Sequence, residues 1–333
     1  MTRRPMTSGD RSPVWFERAI PPELMDEVSR VVTVLGPATR DDPYAGLAAA
    51  RGAVASAGRY DAAAMDRAPG LRVIARTGIG YDRVDVVEAT RRGIAVCNTP
   101  DAPTVSTAEH TVALMLAVAK GIQPAQAALR DGSAIGYYGR HRAIELDGKV
   151  LGLVGFGRIA RRVATISRGL GMRVTVFDPF LPETTVPPDV TRVASLGEVL
   201  GVADVISVHV PLTDDTRGMF GPVEFGQMRP GAVFVNAARG GLVDADALLA
   251  ALDAGRLFGA ALDVTEPEPL PADHPLLGRP DVVVTPHIAS ATSECRVRIF
   301  RAALGQAIAV LAGRRPDHLV NPEVYDALVS PVP

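Results

Sequence analysis

Three short segments carry the side chains that acid/base chemistry on a small anion needs. Arg239 lies in FVNAARGGLVDADAL, Glu268 in GAALDVTEPEPL and His287 in VVVTPHIASAT. Histidine is the natural acid or base near neutral pH, and a neighbouring carboxylate orients the ring and raises its proton affinity. Arginine offers a fixed positive fork to a carboxylate, or to an oxygen that gains charge. We therefore predict an acid/base pair of His287 and Glu268, with Arg239 as the anion-binding group.

The segment LGLVGFGRIARRVA, residues 151–164, has the pattern of a dinucleotide-binding turn. It follows an apolar β run and opens a helix, which is the context in which this glycine spacing is informative. Gly155 permits the tight turn, Gly157 allows close approach of a pyrophosphate, and the helix that begins near Arg158 presents unpaired N–H groups to it. The predicted cofactor-binding turn comprises Gly155, Phe156, Gly157, Arg158 and Ile159.

The next predicted strand ends at Asp178, about 20 residues beyond the second glycine of the turn. A carboxylate in this position accepts hydrogen bonds from the adenosine ribose hydroxyls and repels a 2′-phosphate, which favours NAD over NADP. The alternative is that Asp178 caps the turn before Pro179. Both interpretations of Asp178 stay open at the level of the sequence.

The elements that must position these residues are short apolar strands alternating with helices. This alternation predicts an α/β fold with parallel sheets covered on both faces, because each crossover requires a helix. Ligands of such sheets bind beyond the carboxyl ends of the strands, so the three segments and the glycine turn are expected in one region. The predicted strands are Val31–Leu35, Ala53–Ala55, Leu71–Ala75, Ile94–Cys97, Val150–Val154, Val174–Phe177, Val205–Val210, Ala232–Val235, Gly259–Val264 and Val282–Thr285, and the helices Val105–Ala119, Arg158–Arg168, Asp244–Ala254 and Arg296–Ala312.

Turn signals divide the strands into two sets. The first set ends near Cys97–Asn98, where NTPDAP supplies two prolines, and the second runs from Val150 to Thr285. The tail from residue 292 is too short for a domain of its own, so we expect it to pack on the first set. The sequence therefore predicts a discontinuous domain of residues 1–103 and 292–333, with residues 104–291 inserted as a second domain.

Composition excludes several classes of protein. The chain has 333 residues, 47% of them hydrophobic and 22% charged, and a net charge of −2, so it lacks the basic surplus of a nucleic-acid-binding protein. Cys97 and Cys295 cannot form a disulfide framework and have no metal-ligand spacing, so we expect a reducing compartment and no metal. The N-terminus lacks the apolar core of a signal peptide, and the longest apolar run, Val112 to Ala119, is far short of a membrane span. We expect a cytoplasmic protein.

The segments together resemble the D-isomer-specific 2-hydroxyacid dehydrogenases. LGLVGFGRIA, HVPLTDDT, NAARGGLVDADALLAAL, AALDVTEPEPL and TPHIASAT occur in that family's order and spacing, and RTGIGYDRVDVVEATRRGIAVCNTP followed by STAEHTVALML is similar to its substrate domain and interdomain helix. The resemblance extends from about Gly52 to Val324. It implies a Rossmann NAD domain inserted into a flavodoxin-like substrate domain.

The resemblance also implies roles for individual residues. Arg239 matches the substrate-binding arginine, His287 the acid/base, and Glu268, rather than Glu266, the carboxylate paired with the histidine. Asp263 matches the residue that holds the nicotinamide carboxamide. The remaining matches are the loop Gly78, Ile79 and Gly80, whose N–H groups bind the substrate carboxylate as an anion nest, and the cofactor-lining segments around Thr104, Pro211 and Ala237.

The implied activity is NAD-dependent interconversion of a 2-oxo acid and its D-2-hydroxy acid, by a homodimer formed through the helix Val105–Ala119. The substrate stays open between glyoxylate, hydroxypyruvate and bulkier acids. Members that act on 3-phosphoglycerate often carry arginines in a loop that here reads AVASAGRY, with Arg59 alone, and from the end at Pro333 we expect no regulatory domain. Both features disfavour 3-phosphoglycerate without excluding it. Formate-oxidising relatives have glutamine where Glu268 stands. The alternative function is an NAD-sensing, corepressor-like interaction protein of the same fold.

Overall fold

The computed structural model describes residues 11–182 and 185–325. The chain forms two compact units, of which the first combines Met1–Pro103 with Thr292–Pro333 and the second is Thr104–Ala291. Residues 1–10 and 326–333 of the predicted discontinuous domain lie outside the described residues, as do residues 183 and 184 of the inserted one.

The first unit is built on a five-stranded parallel sheet in the order β2-β1-β3-β4-β5. This is the flavodoxin-like order, and it confirms the predicted fold class for this unit. Helices cover the sheet, which explains why its strands are apolar on both faces. The elements are β1 (Pro13–Phe16), α1 (Met25–Val31), β2 (Thr33–Leu35), β3 (Gly52–Ala55), α2 (Ala62–Asp66), β4 (Val73–Arg76), α3 (Val86–Arg91), β5 (Ala95–Cys97) and, from the C-terminal segment, α11 (Ser293–Leu311).

Helix α11 completes the core of the first unit. It packs on β3, β4 and β5, and its side chains Phe300, Ala303 and Ala307 are buried with those of the strands. The ring of Phe300 stacks on Phe16 with 5.3 Å between the centroids. The C-terminal segment therefore covers one face of a sheet made entirely by the N-terminal segment.

The second unit contains a seven-stranded parallel sheet in the order β12-β11-β10-β9-β6-β7-β8. This is the Rossmann order extended by β12, and it confirms the predicted class. The order reverses between β6 and β9, where such sheets open a crevice for a ligand. The elements are α4 (Thr104–Ala119), α5 (Ile122–Arg130), α6 (Tyr137–Arg140), β6 (Val150–Val154), α7 (Arg158–Gly169), β7 (Arg173–Phe177), β8 (Val190–Arg192), α8 (Leu196–Val202), β9 (Val205–Val208), α9 (Pro222–Gln227), β10 (Ala232–Asn236), α10 (Ala245–Asp253), β11 (Leu257–Leu262) and β12 (Val282–Val284).

Strand β6 shows how the second sheet separates two cores. Successive side chains of a strand point to opposite faces, so Leu151 and Leu153 join the core under α4 and α7. Val150 and Val154 join the opposite core, which α8, α9 and α10 cover. Both faces of the sheet are therefore shielded from water at β6, which explains why the strand is an unbroken run of apolar residues.

Several boundaries differ from the sequence predictions. Strands β1 and β8 were not predicted, because one is only PVWF and the other, VTR, is a short and partly polar strand at the sheet edge. The predicted strand Val31–Leu35 begins too early, since α1 extends to Val31. The tail contributes an isolated antiparallel bridge between Leu319 and Cys97. In the described ranges no single helix is long and apolar enough to cross a membrane, and α4 and α5 meet that test only as a pair bent by 59°.

Candidate active site

The glycine turn connects β6 to α7 at the point where the sheet order reverses. Gly155 has a φ of 89°, and a Cβ there would lie 2.7 Å from the carbonyl oxygen of His209. Its N–H donates to the carbonyl oxygen of Phe177 at 2.8 Å, which ties the turn to the end of β7. Both the conformation and the space therefore require glycine at this position.

Gly157 lies on the open side of the same turn. It precedes the first residue of α7, it is exposed, and a Cβ there would have no neighbour within 4 Å. The exposed helix N-terminus presents amide N–H groups and a positive dipole end over this space. Backbone and space together fit the pyrophosphate of a dinucleotide.

The other turn residues take different places. The Phe156 ring is buried, and the guanidinium of Arg161 lies 4.8 Å from its centroid. Ile159 packs partly buried against the core under α7. Arg158 is exposed at the helix N-terminus. The open ledge of the turn is therefore formed by Gly157 and Arg158, its two exposed residues.

Asp178 follows β7 and contacts the turn directly. Its Oδ2 accepts the N–H of Phe156 at 2.9 Å, and its Oδ1 accepts the N–H of Phe180 at 3.0 Å. The second contact is the turn cap that the sequence left open. The first holds the carboxylate beside the glycine turn. The turn cap does not exclude the predicted ribose contact, which stays a prediction.

Arg239 lies in a loop braced by Asn236, the last residue of β10. The amide of this buried asparagine donates to the carbonyl oxygen of Arg239 at 2.8 Å, and its Oδ1 accepts the N–H of Ala238 at 2.9 Å. A Cβ at Gly240 would collide with the carbonyl group of Thr265. Glycine therefore lets the arginine loop press against the loop that follows β11, which carries Glu268.

Asp263, directly after β11, fixes the turn that carries His287. Its Oδ1 accepts the Thr285 hydroxyl at 2.7 Å and the N–H of Ile288 at 2.8 Å, and its Oδ2 accepts the N–H of Ala289 at 2.9 Å. Burial alone raises the pKa of this carboxyl, but the hydrogen bonds it accepts outweigh burial and lower its pKa below 3.8. Asp263 is thus a buried anion that organises the backbone around the histidine.

His287 and Glu268 form a close pair. His287 Nδ1 lies 2.7 Å from Glu268 Oε1, and the two side chains are 45% and 29% exposed. An ionised carboxylate only accepts hydrogen bonds, so this contact assigns the ring proton to Nδ1 and leaves Nε2 to exchange a proton with a bound molecule. His287 has a φ of 52°, the one positive value at a non-glycine residue in the described part of the chain. Its N–H donates to the carbonyl oxygen of Asp263 at 2.8 Å.

Three further predicted cofactor residues lie beyond strand ends or at a helix start. Pro211 follows β9 and is exposed, Ala237 directly follows β10, and Thr104 is the first residue of α4. The second unit thus carries Gly155, Asp178, Pro211, Ala237, Arg239, Asp263, Glu268 and His287 in the loops after six of its parallel strands.

The loop Gly78–Gly80 follows β4 in the first unit. The N–H of Gly78 donates to the Thr99 hydroxyl at 2.8 Å, so this amide is already used inside the protein. The N–H groups of Ile79 and Gly80 donate to no residue within the described ranges. Of the three amides in the predicted anion nest, those of Ile79 and Gly80 are therefore the two that can donate to a ligand.

Sequence reasoning missed several residues that support this site. His110 of α4 is not among the residues that the sequence singles out, yet its Nε2 lies 3.1 Å from the Thr285 hydroxyl and 3.3 Å from Asp263 Oδ1. Asn236 was overlooked as a brace, although an asparagine at a strand end is a known turn-forming signal. His209 lies beside the glycine turn, where burial lowers the pKa of its imidazole to about 4.

The described cysteine, histidine and carboxylate side chains do not cluster as metal ligands. Cys97 and Cys295 are both buried thiols, and burial raises the pKa of Cys97 to about 12, so this thiol stays protonated. In residues 11–182 and 185–325 no group of three histidine, cysteine, aspartate or glutamate side chains has the arrangement of a metal site.

Comparison with known proteins places this geometry in a family. The family model described as D-isomer specific 2-hydroxyacid dehydrogenase, NAD binding domain, matches residues 112–289. A glyoxylate reductase from Aeropyrum pernix is 41% identical over 271 residues, covering 80% of this chain and 81% of that protein. A D-3-phosphoglycerate dehydrogenase from Archaeoglobus fulgidus is 42% identical over 248 residues, which cover 74% of this chain but only 46% of that protein.

A solved structure agrees with the sequence matches. The crystal structure of the TT0316 protein from Thermus thermophilus superposes with a TM-score of 0.83 at 40% identity, covering 92% of this chain and 99% of that one. The similarity therefore extends beyond residues 112–289, which the family model matches, into the first unit.

Proposed function

This chain belongs to the D-isomer specific 2-hydroxyacid dehydrogenase family, and from that premise we propose that it interconverts a 2-oxo acid and its D-2-hydroxy acid with NAD. The observation that carries the proposal is the 2.7 Å contact between His287 Nδ1 and Glu268 Oε1 beyond the ends of the second unit's strands. An oriented imidazole at the same sheet edge as a dinucleotide-binding turn is what proton transfer coupled to hydride transfer requires.

His287 is proposed as the acid/base. During reduction its Nε2–H donates a proton to the carbonyl oxygen of the substrate, and in the reverse direction Nε2 accepts the proton of the hydroxyl group. Glu268 keeps the other ring proton on Nδ1 and stabilises the imidazolium. Asp263 sets the position of the ring by holding the backbone on both sides of it.

Arg239 is proposed as the group that binds the substrate carboxylate or carbonyl oxygen. Its loop is held against the Glu268 loop by the close approach at Gly240, and its guanidinium donates to the carbonyl oxygen of Ala238 at 2.6 Å. The Gly78–Gly80 loop of the first unit contributes amide donors for the carboxylate in this proposal.

The proposed cofactor site uses residues that fit a dinucleotide. When bound, NADH supplies the hydride that reduces the carbonyl carbon. Gly155 and Gly157 leave room for the pyrophosphate, the start of α7 offers N–H groups to it, and Asp178 accepts the ribose hydroxyls. The segments at Thr104, Pro211 and Ala237, and the carboxylate of Asp263, complete the proposed lining.

We propose a short, unphosphorylated 2-oxo acid as substrate. The match covers 81% of the Aeropyrum pernix protein, which is named glyoxylate reductase. It covers only 46% of the Archaeoglobus fulgidus D-3-phosphoglycerate dehydrogenase. Arg59, the one arginine in AVASAGRY, is 80% exposed and lies 3.5 Å from Asp61. A single solvated guanidinium already facing a carboxylate is a weak phosphate site.

Assembly as a homodimer is part of the proposal. Most apolar side chains of α4 are buried inside the second unit, but Val105 is exposed. Further exposed apolar side chains lie just after this helix, at Leu129, Ile135 and Tyr138. Light scattering on the wild type and on Leu129→Lys tests whether this surface joins two copies.

The activity is tested with purified protein, NADH and a panel of glyoxylate, hydroxypyruvate, pyruvate, phenylpyruvate and 3-phosphohydroxypyruvate. We expect loss of NADH absorbance with at least one short acid and a product of D configuration wherever the product is chiral. Absence of NADH oxidation with every 2-oxo acid, together with tight NADH binding, would instead favour an NAD-sensing interaction protein.

The acid/base role is tested with His287→Asn, because asparagine tolerates a positive φ better than most residues. We expect turnover to fall by about 10²–10⁴-fold, the usual contribution of a positioned acid/base, while NADH still binds. The matched control is His274→Asn, which keeps an acceptor for the Leu276 N–H that His274 caps. Equal turnover of His287→Asn and wild type would remove His287 from the mechanism.

A further inference from the structure

The first unit contains a cavity that the proposed reaction does not use. Its volume is about 540 Å³, within the range of small-molecule sites. It lies between one face of α11, the segment 314–318 and the residues that follow β5. Its lining includes Arg298, Arg301, Arg314, Arg315, Gln306 and His318, and we call it the arginine cavity.

The arginine cavity concentrates positive charge in a chain whose net charge is −2. Four arginines line it against two aspartates, Asp101 and Asp317. Arg301 Nη2 lies 2.9 Å from Glu27 Oε2, but both side chains are more than half exposed. This ion pair is therefore weak and leaves the guanidinium able to bind another anion. Several guanidinium groups around one cavity form a site for carboxylate or phosphate oxygens, which they bind through charge-assisted hydrogen bonds.

A buried amide adds a second, independent feature. Gln306 is only 6% exposed although it lines the cavity. Its Oε1 accepts the N–H of His318 at 3.4 Å, and its Nε2 donates to no residue of the described ranges. The amide nitrogen is not among the buried atoms without a partner, so it is accessible from the cavity and can donate to an oxygen of a molecule bound there.

The cavity wall is connected to the Gly78–Gly80 loop by hydrogen bonds. The N–H of Asn98 donates to the carbonyl oxygen of His318 at 3.2 Å, and its side chain donates to the carbonyl oxygen of Ile79 at 2.8 Å. Thr99, also in the cavity lining, exchanges two hydrogen bonds with Gly78, at 2.8 and 2.9 Å. A ligand that contacts Thr99 therefore restrains the loop directly, and a ligand that contacts His318 restrains it through Asn98.

We propose that the arginine cavity binds a small polyanion carrying carboxylate or phosphate groups, and that its occupation stiffens the Gly78–Gly80 loop. Gln306 donates to one oxygen of the ligand, and Arg314 and Arg315 supply the charge that selects an anion. That stiffening this loop alters substrate binding rests on the proposed function. The binding itself and the stiffening do not.

Binding is measured by calorimetry with two probes, citrate for the carboxylate source and inorganic pyrophosphate for the phosphate source. The cavity variant is Arg314→Ala/Arg315→Ala. We expect its affinity for the favoured probe to be at least about tenfold weaker, the effect of losing one charge-assisted hydrogen bond. The matched control is Arg18→Ala/Arg40→Ala, which removes the same charge from exposed positions of the first unit that do not line the cavity.

A second comparison separates this cavity from the candidate active site. Arg239→Gln removes the proposed substrate arginine, so binding of the probe at the arginine cavity must survive in that variant. Binding that is lost in Arg239→Gln and kept in the cavity variant would overturn the proposal. So would equal weakening in the Arg18/Arg40 control, or no binding of either probe to the wild type at millimolar concentration. Melting temperatures of all variants establish that each is folded.

Stiffening of the loop is measured by amide hydrogen exchange. The N–H groups of Gly78, Asn98 and Thr99 each donate a hydrogen bond in the chain from the cavity to the loop, so the bound probe should slow their exchange several-fold. Unchanged exchange at saturating probe would refute the coupling while leaving the binding site intact. Neither measurement uses turnover, so failure of the proposed activity and failure of this inference are distinguishable.

Discussion

At the scale of single residues, three carboxylates of the second unit perform distinct tasks because their surroundings differ. Asp263 is buried and spends its oxygens on the backbone and hydroxyl donors of the 285–289 turn. Glu268 is partly exposed and faces one imidazole nitrogen. Asp178 accepts two backbone N–H groups and still borders the open ledge at Gly157. The contacts, and not the residue type, therefore distinguish Asp263, which supports the turn, from Glu268, the proposed partner of His287.

Cofactor choice should depend on the charge of Asp178. Because its Oδ2 also holds the Phe156 N–H, Asp178→Asn is the informative change: it keeps an acceptor oxygen and removes the charge that repels a 2′-phosphate. We expect the ratio of kcat/KM for NADH over NADPH to fall by about tenfold or more, as expected from losing a charge contact of about 1.4 kcal/mol. Steady-state kinetics with both cofactors measure it, with Asp189→Asn as the control. A wild type that already prefers NADPH would contradict the role of Asp178.

His209 should make stability depend on pH. Burial lowers its pKa from 6.5 to about 4, so between these values the unfolded chain binds a proton that the folded chain does not. The free energy of unfolding therefore falls as the pH falls from 6.5 to 4, by an amount on the order of 3 kcal/mol. Denaturant titrations of the wild type and His209→Gln check this. The variant should lose less stability across that window, and parallel curves for the two proteins would refute the prediction.

At the scale of elements, the sequence predicts the strands and the loops that follow them, but not which side chains hold those loops in place. The predicted strand Val150–Val154 coincides with β6, because an apolar run before a glycine turn is a strong local signal. The contact of Asn236 with the Arg239 loop, and that of His110 with Thr285, join residues 3 and 175 positions apart. The long-range contact depends on how α4 packs against the sheet, and no local pattern specifies it.

The turn between β6 and α7 allows folding and cofactor binding to be separated. An alanine at Gly157 has open space around its Cβ and an ordinary φ of −72°, so Gly157→Ala should fold with a nearly unchanged melting temperature. If the pyrophosphate rests on this ledge, the added methyl group should weaken NADH binding by about tenfold or more, the usual effect of overpacking. Fluorescence titration with NADH measures it.

The matched control for Gly157→Ala is Gly201→Ala in α8, another glycine whose Cβ would meet nothing within 4 Å. It should bind NADH as the wild type does. Gly155→Ala provides the opposite case, because its Cβ would collide with the His209 carbonyl group, and it should lose stability as well as binding. If Gly157→Ala bound NADH normally, the ledge would not be the pyrophosphate site.

At the scale of the whole molecule, the interrupted order of the first unit links stability to chain connectivity. Its sheet comes from the N-terminal segment, but Phe300, Ala303 and Ala307 of α11 belong to its buried core. The Ala102 carbonyl oxygen accepts from Cys295 Sγ at 3.5 Å and from Arg298 Nε at 3.3 Å. The chain therefore leaves the first unit and re-enters it at nearly the same place, and the inserted unit has both cores of its own.

This connectivity predicts the behaviour of fragments. Residues 104–291 should fold alone, and NADH should raise their melting temperature, since a ligand that binds only the folded state stabilises it. Residues 1–103 alone should expose the sheet face that α11 covers and remain unfolded. Joining residues 1–103 to 292–333 through a short glycine-serine linker should restore folding, because the two ends meet at Ala102. Circular dichroism and thermal melts of the three fragments test this prediction. A cooperatively folded 1–103 fragment would show that its sheet does not need α11. An unfolded 104–291 fragment would show that the second unit depends on the first.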